Sequence, residues 1–211
     1  MGELDFIYKR KSIRDYKDEV IPKEDILKLL EAATYAPSAK HQQNWHFVVV
    51  QNKDIINKMA EAVTETHTYI ASLAENEKER ARYMRTLPYY LNFKRSSCAI
   101  LVYGKEYDMI EEKILRANNV SEDVIDLIKS PQAGAQGIGA AVENFLLAAA
   151  AMDYGTCYMT GPSHTKSKIE EIVGFEKPNF ELMAIISLGV PADNTAAQPP
   201  RKPLEEVVTF I

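Results

Sequence analysis

Residues 131–152 read PQAGAQGIGAAVENFLLAAAAM, and residues 153–162 continue DYGTCYMTGP. The first stretch is a helix of Ala, Gly and Leu in which Glu143 is the lone charge. A helix with no polar face must be covered on nearly all sides. A domain of this size can hardly enclose seven turns by itself, so the stretch is expected to be both a core helix and a subunit-interface helix. A membrane span needs about 20 mostly apolar residues. This run is built from Ala, Gly and Gln more than from Leu or Ile, so it reads as buried in protein. Gly155 is expected to punctuate the helix end, and Thr156 to Thr160 to form a strand. Gly161 at that strand's end either exposes a backbone N–H where ligands often sit or serves as an ordinary turn residue. Gly134-Ala-Gln-Gly-Ile-Gly139 reverses the dinucleotide fingerprint and follows no strand, so its glycines read as packing residues.

Working outward, Pro22 opens a helix with Ile26, Leu27, Leu30 and Ala33 as its apolar face. That helix stops before Pro37. Residues 3–9 read as a short helix, Trp45–Val50 as a strand and 55–66 as an amphipathic helix. Residues 67–95 read as irregular helix and loop. Further strands are expected at 99–103 and 182–190, weakly patterned charged helices from the end of the first of these to about 129, and a helix at 165–173. Val207–Phe210 is a candidate last strand. Alternation of helices and strands makes the fold α/β or α+β with a central sheet.

The chain has 211 residues, no internal repeat and no linker, and reads as one domain over 1–211. Its net charge of −5, without a long basic run, excludes nucleic acid as the main partner. Cys98 and Cys157 sit in apolar stretches and read as buried small hydrophobes in a reducing cytosol. The histidines form no metal-ligand spacing, so no metal is expected. Neither a signal peptide nor a membrane segment is recognised, which points to a cytoplasmic protein. Asn119-Val120-Ser121 matches a glycosylation sequon by chance in such a setting.

Three segments can carry chemistry. Arg10-Lys11-Ser12-Ile13-Arg14 suits a phosphate, with Arg as a planar fork and Ser as a neutral hydrogen-bonding group. It can equally be a solvated basic face. Ala36-Pro37-Ser38-Ala39-Lys40-His41-Gln42-Gln43-Asn44-Trp45 combines small residues, which allow close approach of a flat ligand, with polar donors and acceptors; it is otherwise a helix-to-strand loop. Thr160 and Gly161 close the third.

In this order the segments resemble the nitroreductase family of flavoproteins. Arg10, Ser12 and Arg14 match an Arg-x-Ser-x-Arg/Lys opening. Pro37, Ser38, Ala39, Gln43, Trp45 and Phe47 match the Ala-Pro-Ser-Ser/Ala…Trp-x-Phe segment. Asn144–Ala149 and Tyr154–Tyr158 are similar to a small-residue helix followed by Gly-Leu-Gly-Thr-Cys-Trp, and Pro200–Glu206 to the closing basic segment. His41 departs from the family's Asn, and Asn44 from its Pro. The resemblance implies an α+β fold with a central, mostly antiparallel sheet flanked by helices, in an intertwined homodimer with FMN at the interface. It implies that Arg10, Lys11, Ser12 and Arg201 hold the phosphate and ribityl chain, with Arg14 near the pyrimidine edge of the flavin. Thr160 and Gly161 would present backbone to the ring. Pro37, Ser38, Ala39 and His41 would reach it from the other subunit.

The implied activity is ping-pong electron transfer from NAD(P)H to a small acceptor such as a nitroaromatic or quinone. No side chain is demanded as acid or base. Tyr69, Tyr83, Tyr89, Tyr90 and Phe93 either shape the acceptor pocket or pack a helical flap. The alternatives are a reductive dehalogenase or flavin-consuming enzyme of the same fold, and a non-catalytic flavin-binding protein.

Overall fold

Four antiparallel strands, β1 (Trp45–Val50), β2 (Cys98–Lys105), β3 (Gly155–Met159) and β4 (Phe180–Gly189), form one sheet in the order β1-β2-β4-β3. The computed structural model describes residues 2–193 and 197–211. The sequence of the central strands explains their place: CAILVYG in β2 is apolar on both faces, and all seven of those residues are buried. Such a strand has to be covered on both sides.

The two faces carry different helices. On one, α8 (Ala133–Ala151) and α2 (Lys23–Thr34) cover Ile100, Val102, Ile186 and Leu188 with Phe145, Val142 and Leu29. On the other, α3 (Lys53–Ser72) and α9 (Lys166–Val173) cover Ala99, Leu101, Tyr103 and Ile185 with Met59, Val63 and Ile169. Alternate residues of β2 thus point to opposite helical layers, as the period of a strand requires. The remaining helices are α1 (Asp5–Lys9), α4 (Glu77–Met84), α5 (Leu87–Tyr90), α6 (Ile110–Ala117) and α7 (Glu122–Lys129). No helix among the described residues is long and apolar enough to cross a membrane.

Several expectations shift. The helix read at 55–66 runs from Lys53 to Ser72, capped by Asn52, whose side chain accepts from the N–H groups of Asp54 and Ile55. The region 67–95, read as irregular helix and loop, contains the end of α3, then α4 and α5 with short connections. Val207–Phe210 is not a strand. Leu204–Glu206 forms a 3₁₀ turn, and every residue from 197 to 211 is exposed.

Gly155 does not end α8. Asp153 takes the left-handed conformation (φ 62°) there. Tyr154 N–H reaches Ala149 O at 2.8 Å and Asp153 N–H reaches Ala150 O at 3.3 Å, which satisfies the last carbonyls of the helix. Gly155 instead begins β3, where a Cβ would stand 2.8 Å from Ile13 Cγ2. Its role is to admit Ile13. Gly134 does permit close packing, its Cβ position lying 2.9 Å from Asn44 Nδ2, whereas a Cβ on Gly137 would meet Ser38 at an ordinary 3.6 Å and that of Gly139 has nothing within 4 Å.

Gly155→Ala is therefore expected to lower stability by about 1–3 kcal/mol, the usual cost of overpacking, in equilibrium urea unfolding. A variant as stable as the parent would contradict the seating of Ile13 on Gly155.

Candidate functional site

The segment Arg10–Arg14 lies along β3. Ser12 forms a parallel bridge with Thr156, and Ile13 N–H donates to Thr156 O at 2.8 Å. Alternation then decides what each residue does: Ile13 is buried, while Ser12 and Arg14 are exposed. Tyr16 fastens the segment from its other end. Its hydroxyl donates to Ile13 O at 2.6 Å and pairs with Ser187 Oγ at 2.7 Å. Burial pushes the Tyr16 phenol well above its ordinary pKa, so it remains a donor. Its ring lies where a Cβ on Gly189 would be, 2.5 Å from Cδ1.

The C-terminal tail returns to the same place. Gln198 Nε2 donates to Tyr8 O at 2.8 Å and to Arg10 O at 2.5 Å. Arg201 holds Pro199 O at 2.7 Å and Gln198 Oε1 at 3.4 Å. Residues from the two ends of the chain thus bring Arg10 and Arg201 to one region. Arg10 is half-buried and pairs with Glu143 of α8 at 3.4 Å.

Beside Arg14 is a cavity of about 190 Å³, lined by Arg14, Tyr89, Tyr90, Cys157, Tyr158 and Gly161 among others. The Arg14 guanidinium stands 5.9 Å from the centroid of the Tyr89 ring, a cation–π contact. Tyr90 covers Gly161, where a Cβ would be 2.5 Å from its ring, and meets His67 edge-on at 4.9 Å. His67 is buried, stacks on Tyr83 at 4.1 Å and pairs with Tyr83 O at 3.1 Å. The Tyr-rich segment therefore divides by task. Tyr89 and Tyr90 line the cavity, Tyr83 and Phe93 pack, and Tyr69 is exposed.

The Cys157 thiol is raised by burial, with the Arg14 charge pulling the other way. Asn92 Nδ2 lies 3.8 Å from its sulfur. Asn92 and Gln198 are site neighbours that motif reading missed, because long-range folding brings them there, whereas Tyr158 and Pro162 lie within the segment 153–162.

Pro37, Ser38, Ala39 and His41 lie elsewhere. Their loop precedes β1, at the opposite edge of the sheet. It is shaped by left-handed backbone at Lys40, His41 and Gln43 (φ 48°, 54° and 45°). Ser38 Oγ accepts from Gln43 N–H at 3.1 Å, and His41 Nε2 faces Gln43 Nε2 at 2.7 Å. Gln42 bonds both backbone groups of Asp108, at 2.8 and 2.9 Å. Asn44, in place of the family's proline, is buried and donates to Lys105 O at 2.6 Å. From β1 across to the Arg10–Arg14 segment is four strand intervals, and Trp45 pairs at Gly104, six residues from the Cys98 level. With about 4.8 Å between strands and 3.3 Å per residue, Trp45 and Ser12 stand roughly 25 Å apart across the sheet.

A family model described as "Nitroreductase family" matches residues 7–190. A relative from Archaeoglobus fulgidus, named "Putative NADH dehydrogenase/NAD(P)H nitroreductase", is 31% identical over 192 residues, 90% of this chain and 86% of that one. The chain belongs to the nitroreductase family. Among solved structures, a BluB-like flavoprotein from Clostridium difficile 630 superposes with a TM-score of 0.94 at 34% identity, over 100% of this chain and 99% of that one. An oxidized iodotyrosine deiodinase bound to FMN and 3-iodo-L-tyrosine superposes with a TM-score of 0.68 at 20% identity, over 94% of each chain; that likeness concerns the fold. The antiparallel α+β fold implied by the motifs is the observed one.

Both cysteines are buried, and burial pushes the Cys98 thiol up to about 12. Neither is expected to be alkylated by iodoacetamide at pH 8 in the folded protein, and both should react in urea. Rapid labelling of either in the native state would contradict this packing.

Proposed function

We propose that this chain is an FMN-dependent oxidoreductase that takes electrons from NAD(P)H and delivers them to a small acceptor, as a homodimer of single-domain subunits. The observation that carries the reading is the convergence of Arg10, Ser12, Arg14 and Arg201, from both ends of the chain, beside β3 and Gly161. The donor set fits a flavin mononucleotide. Arg10, Lys11 and Arg201 suit a dianionic phosphate, because charge-assisted forks to phosphate oxygens are strong and directional. Ser12 is placed to bond the ribityl chain, and Arg14 sets a fixed cation beside the ring pocket. Thr160 and Gly161 would offer backbone to the ring, with Tyr90 packed over the Cβ side of Gly161. FMN, when bound, supplies the two-electron chemistry. The residues of the chain bind it, orient it and shape the acceptor pocket through Tyr89 and Tyr90; none is assigned as acid or base.

The dimer is part of the proposal. Pro37, Ser38, Ala39 and His41 lie before β1, at the sheet edge opposite the Arg10–Arg14 segment, and a second copy would present them to Arg14. Gly139 supports the same reading. Glycine inside a helix costs about 1 kcal/mol relative to alanine, and within its own chain nothing approaches its Cβ position. A partner backbone close to α8 accounts for it. Apolar residues of the tail, Val208 and Phe210, are also left exposed. The family resemblance favours a cytoplasmic enzyme.

The purified protein is expected to carry about one FMN per chain and to be bleached anaerobically by NADH or NADPH. Reoxidation by a panel of nitroaromatics, quinones and iodoaryl compounds then identifies the acceptor class. Arg10→Ala and Arg201→Ala should each weaken FMN binding at least tenfold, the scale of a lost charged hydrogen bond. Glu143→Gln should tighten it by freeing Arg10. A protein that binds no FMN would overturn the proposal, and a bound flavin that neither nicotinamide reduces would favour a non-catalytic carrier. Gly139→Leu, harmless to the isolated subunit, should split the dimer in sedimentation velocity; an unchanged dimer would contradict its place at the interface.

A further inference from the structure

His67 stands on the buried side of α3, a core helix, and is 2% exposed. It does not line the cavity at Arg14, yet it touches the segment that does. Its ring stacks on Tyr83 of α4, with 9° between the planes, and meets Tyr90 of α5 edge-on at 69°. Nε2 faces Tyr83 O at 3.1 Å and Thr86 Oγ1 at 3.3 Å, while Thr86 Oγ1 itself donates to Tyr83 O at 2.7 Å. A carbonyl only accepts, so the bond to Tyr83 O requires that Nε2 carry the hydrogen. The imidazole plane is therefore set by the backbone between α4 and α5, and that fixed plane is what Tyr90 meets.

Tyr90 needs such a contact. Its helix α5 is a single turn, Leu87–Tyr90, with no buried residue, and so short a helix has little stability of its own. Asn92 Nδ2 donates to Tyr89 O at 3.1 Å, which ties the backbone and leaves the Tyr90 ring to its neighbours. Gly161 has no side chain to limit that ring, whose Cε1 lies 2.5 Å from where a Cβ would stand. His164 meets the ring at 6.0 Å and 64°. No water-sized space remains among His67, Tyr83, Tyr90 and Gly161. A continuous packed path thus runs from the core helix α3, through the His67 and Tyr90 rings, to Gly161 in the wall of the Arg14 cavity.

We propose that His67 is a positioning residue: its ring holds Tyr90 against Gly161 as a fixed wall of that cavity, and so sets FMN affinity without touching the cofactor. The inference rests on the flavin reading of the Arg14 cavity. It assigns His67 a role through Tyr90 alone, which separates it from ordinary core packing.

The test is titration of the full-length protein with FMN, followed by flavin fluorescence, with urea unfolding of every variant alongside. His67→Gln keeps an N–H for Tyr83 O and removes the ring; Tyr90→Ala removes the wall; Tyr90→Phe keeps it. His67→Gln and Tyr90→Ala should each weaken FMN binding about fivefold, the scale of one lost aromatic contact. Tyr90→Phe should bind as the parent does. In the Tyr90→Ala background His67→Gln should add no further loss, because residues that act through one another are not additive. Parent-like affinity in a folded His67→Gln variant, or a full additive loss in the double variant, would overturn the proposal. Equal affinities of Tyr90→Ala and Tyr90→Phe would overturn it too, and that comparison does not depend on how well His67→Gln folds. A parent that binds no FMN overturns the flavin reading and this inference with it; a parent that binds FMN beside unchanged variants overturns this inference alone.

Discussion

A helix of nineteen residues with little polar surface, α8, has to be covered on nearly all sides, and most of the structure is arranged to do so. The sheet takes one side through Ile138, Val142 and Phe145, and α2 takes the next. The Pro37–His41 loop packs on the N-terminal half of α8 at Gly137. The tight left-handed turn at Asp153 then aims the chain into β3, the strand against which Arg10–Arg14 is laid. Each half of the proposed site is therefore positioned by one end of α8. What the chain leaves uncovered along α8, at Gly139, is where the proposed partner belongs.

The basic segment owes its position to apolar contacts more than to its charges. Ile13 fills the space that Gly155 leaves open, and Tyr16 ties Ile13 O to Ser187 and lies on Gly189. With those anchors in place, alternation turns Ser12 and Arg14 outward. Ion pairs at the surface contribute little to stability, so the Arg10–Glu143 pair matters chiefly as something the proposed phosphate would have to displace.

Much of this was legible in the sequence because it depends on local pattern. The apolar runs at Trp45–Val50 and in β2, the proline that stops α2 and the scarcity of polar positions in 131–152 all fix elements directly. Misreadings arose where a long-range contact decides the outcome. Gly155 looks like a helix terminator until Ile13 arrives from far away in the chain. Val207–Phe210 has strand-like residues, but no strand of its own chain pairs with it. The Tyr-rich stretch has no single period, so its helices and its division into lining and packing residues become visible only once His67 and Gly161 stand beside Tyr90. The return of Gln198 to Arg10 is likewise invisible to any window of local sequence. Asn44 illustrates the same point: it departs from the family's proline, and its bond to Lys105 O gives the reason.

The central claim is that one flavin site is assembled from two chains, and mixing variants tests it most directly. An Arg10→Ala/Arg14→Ala subunit and an Ala39→Trp subunit, each with a different affinity tag, would be co-expressed and the doubly tagged dimer isolated. Both parent homodimers should hold little FMN. The mixed dimer should recover one FMN per dimer, because one of its two sites draws intact residues from each subunit. A mixed dimer as empty as its parents would place both sets of residues in the same chain's site and contradict the account.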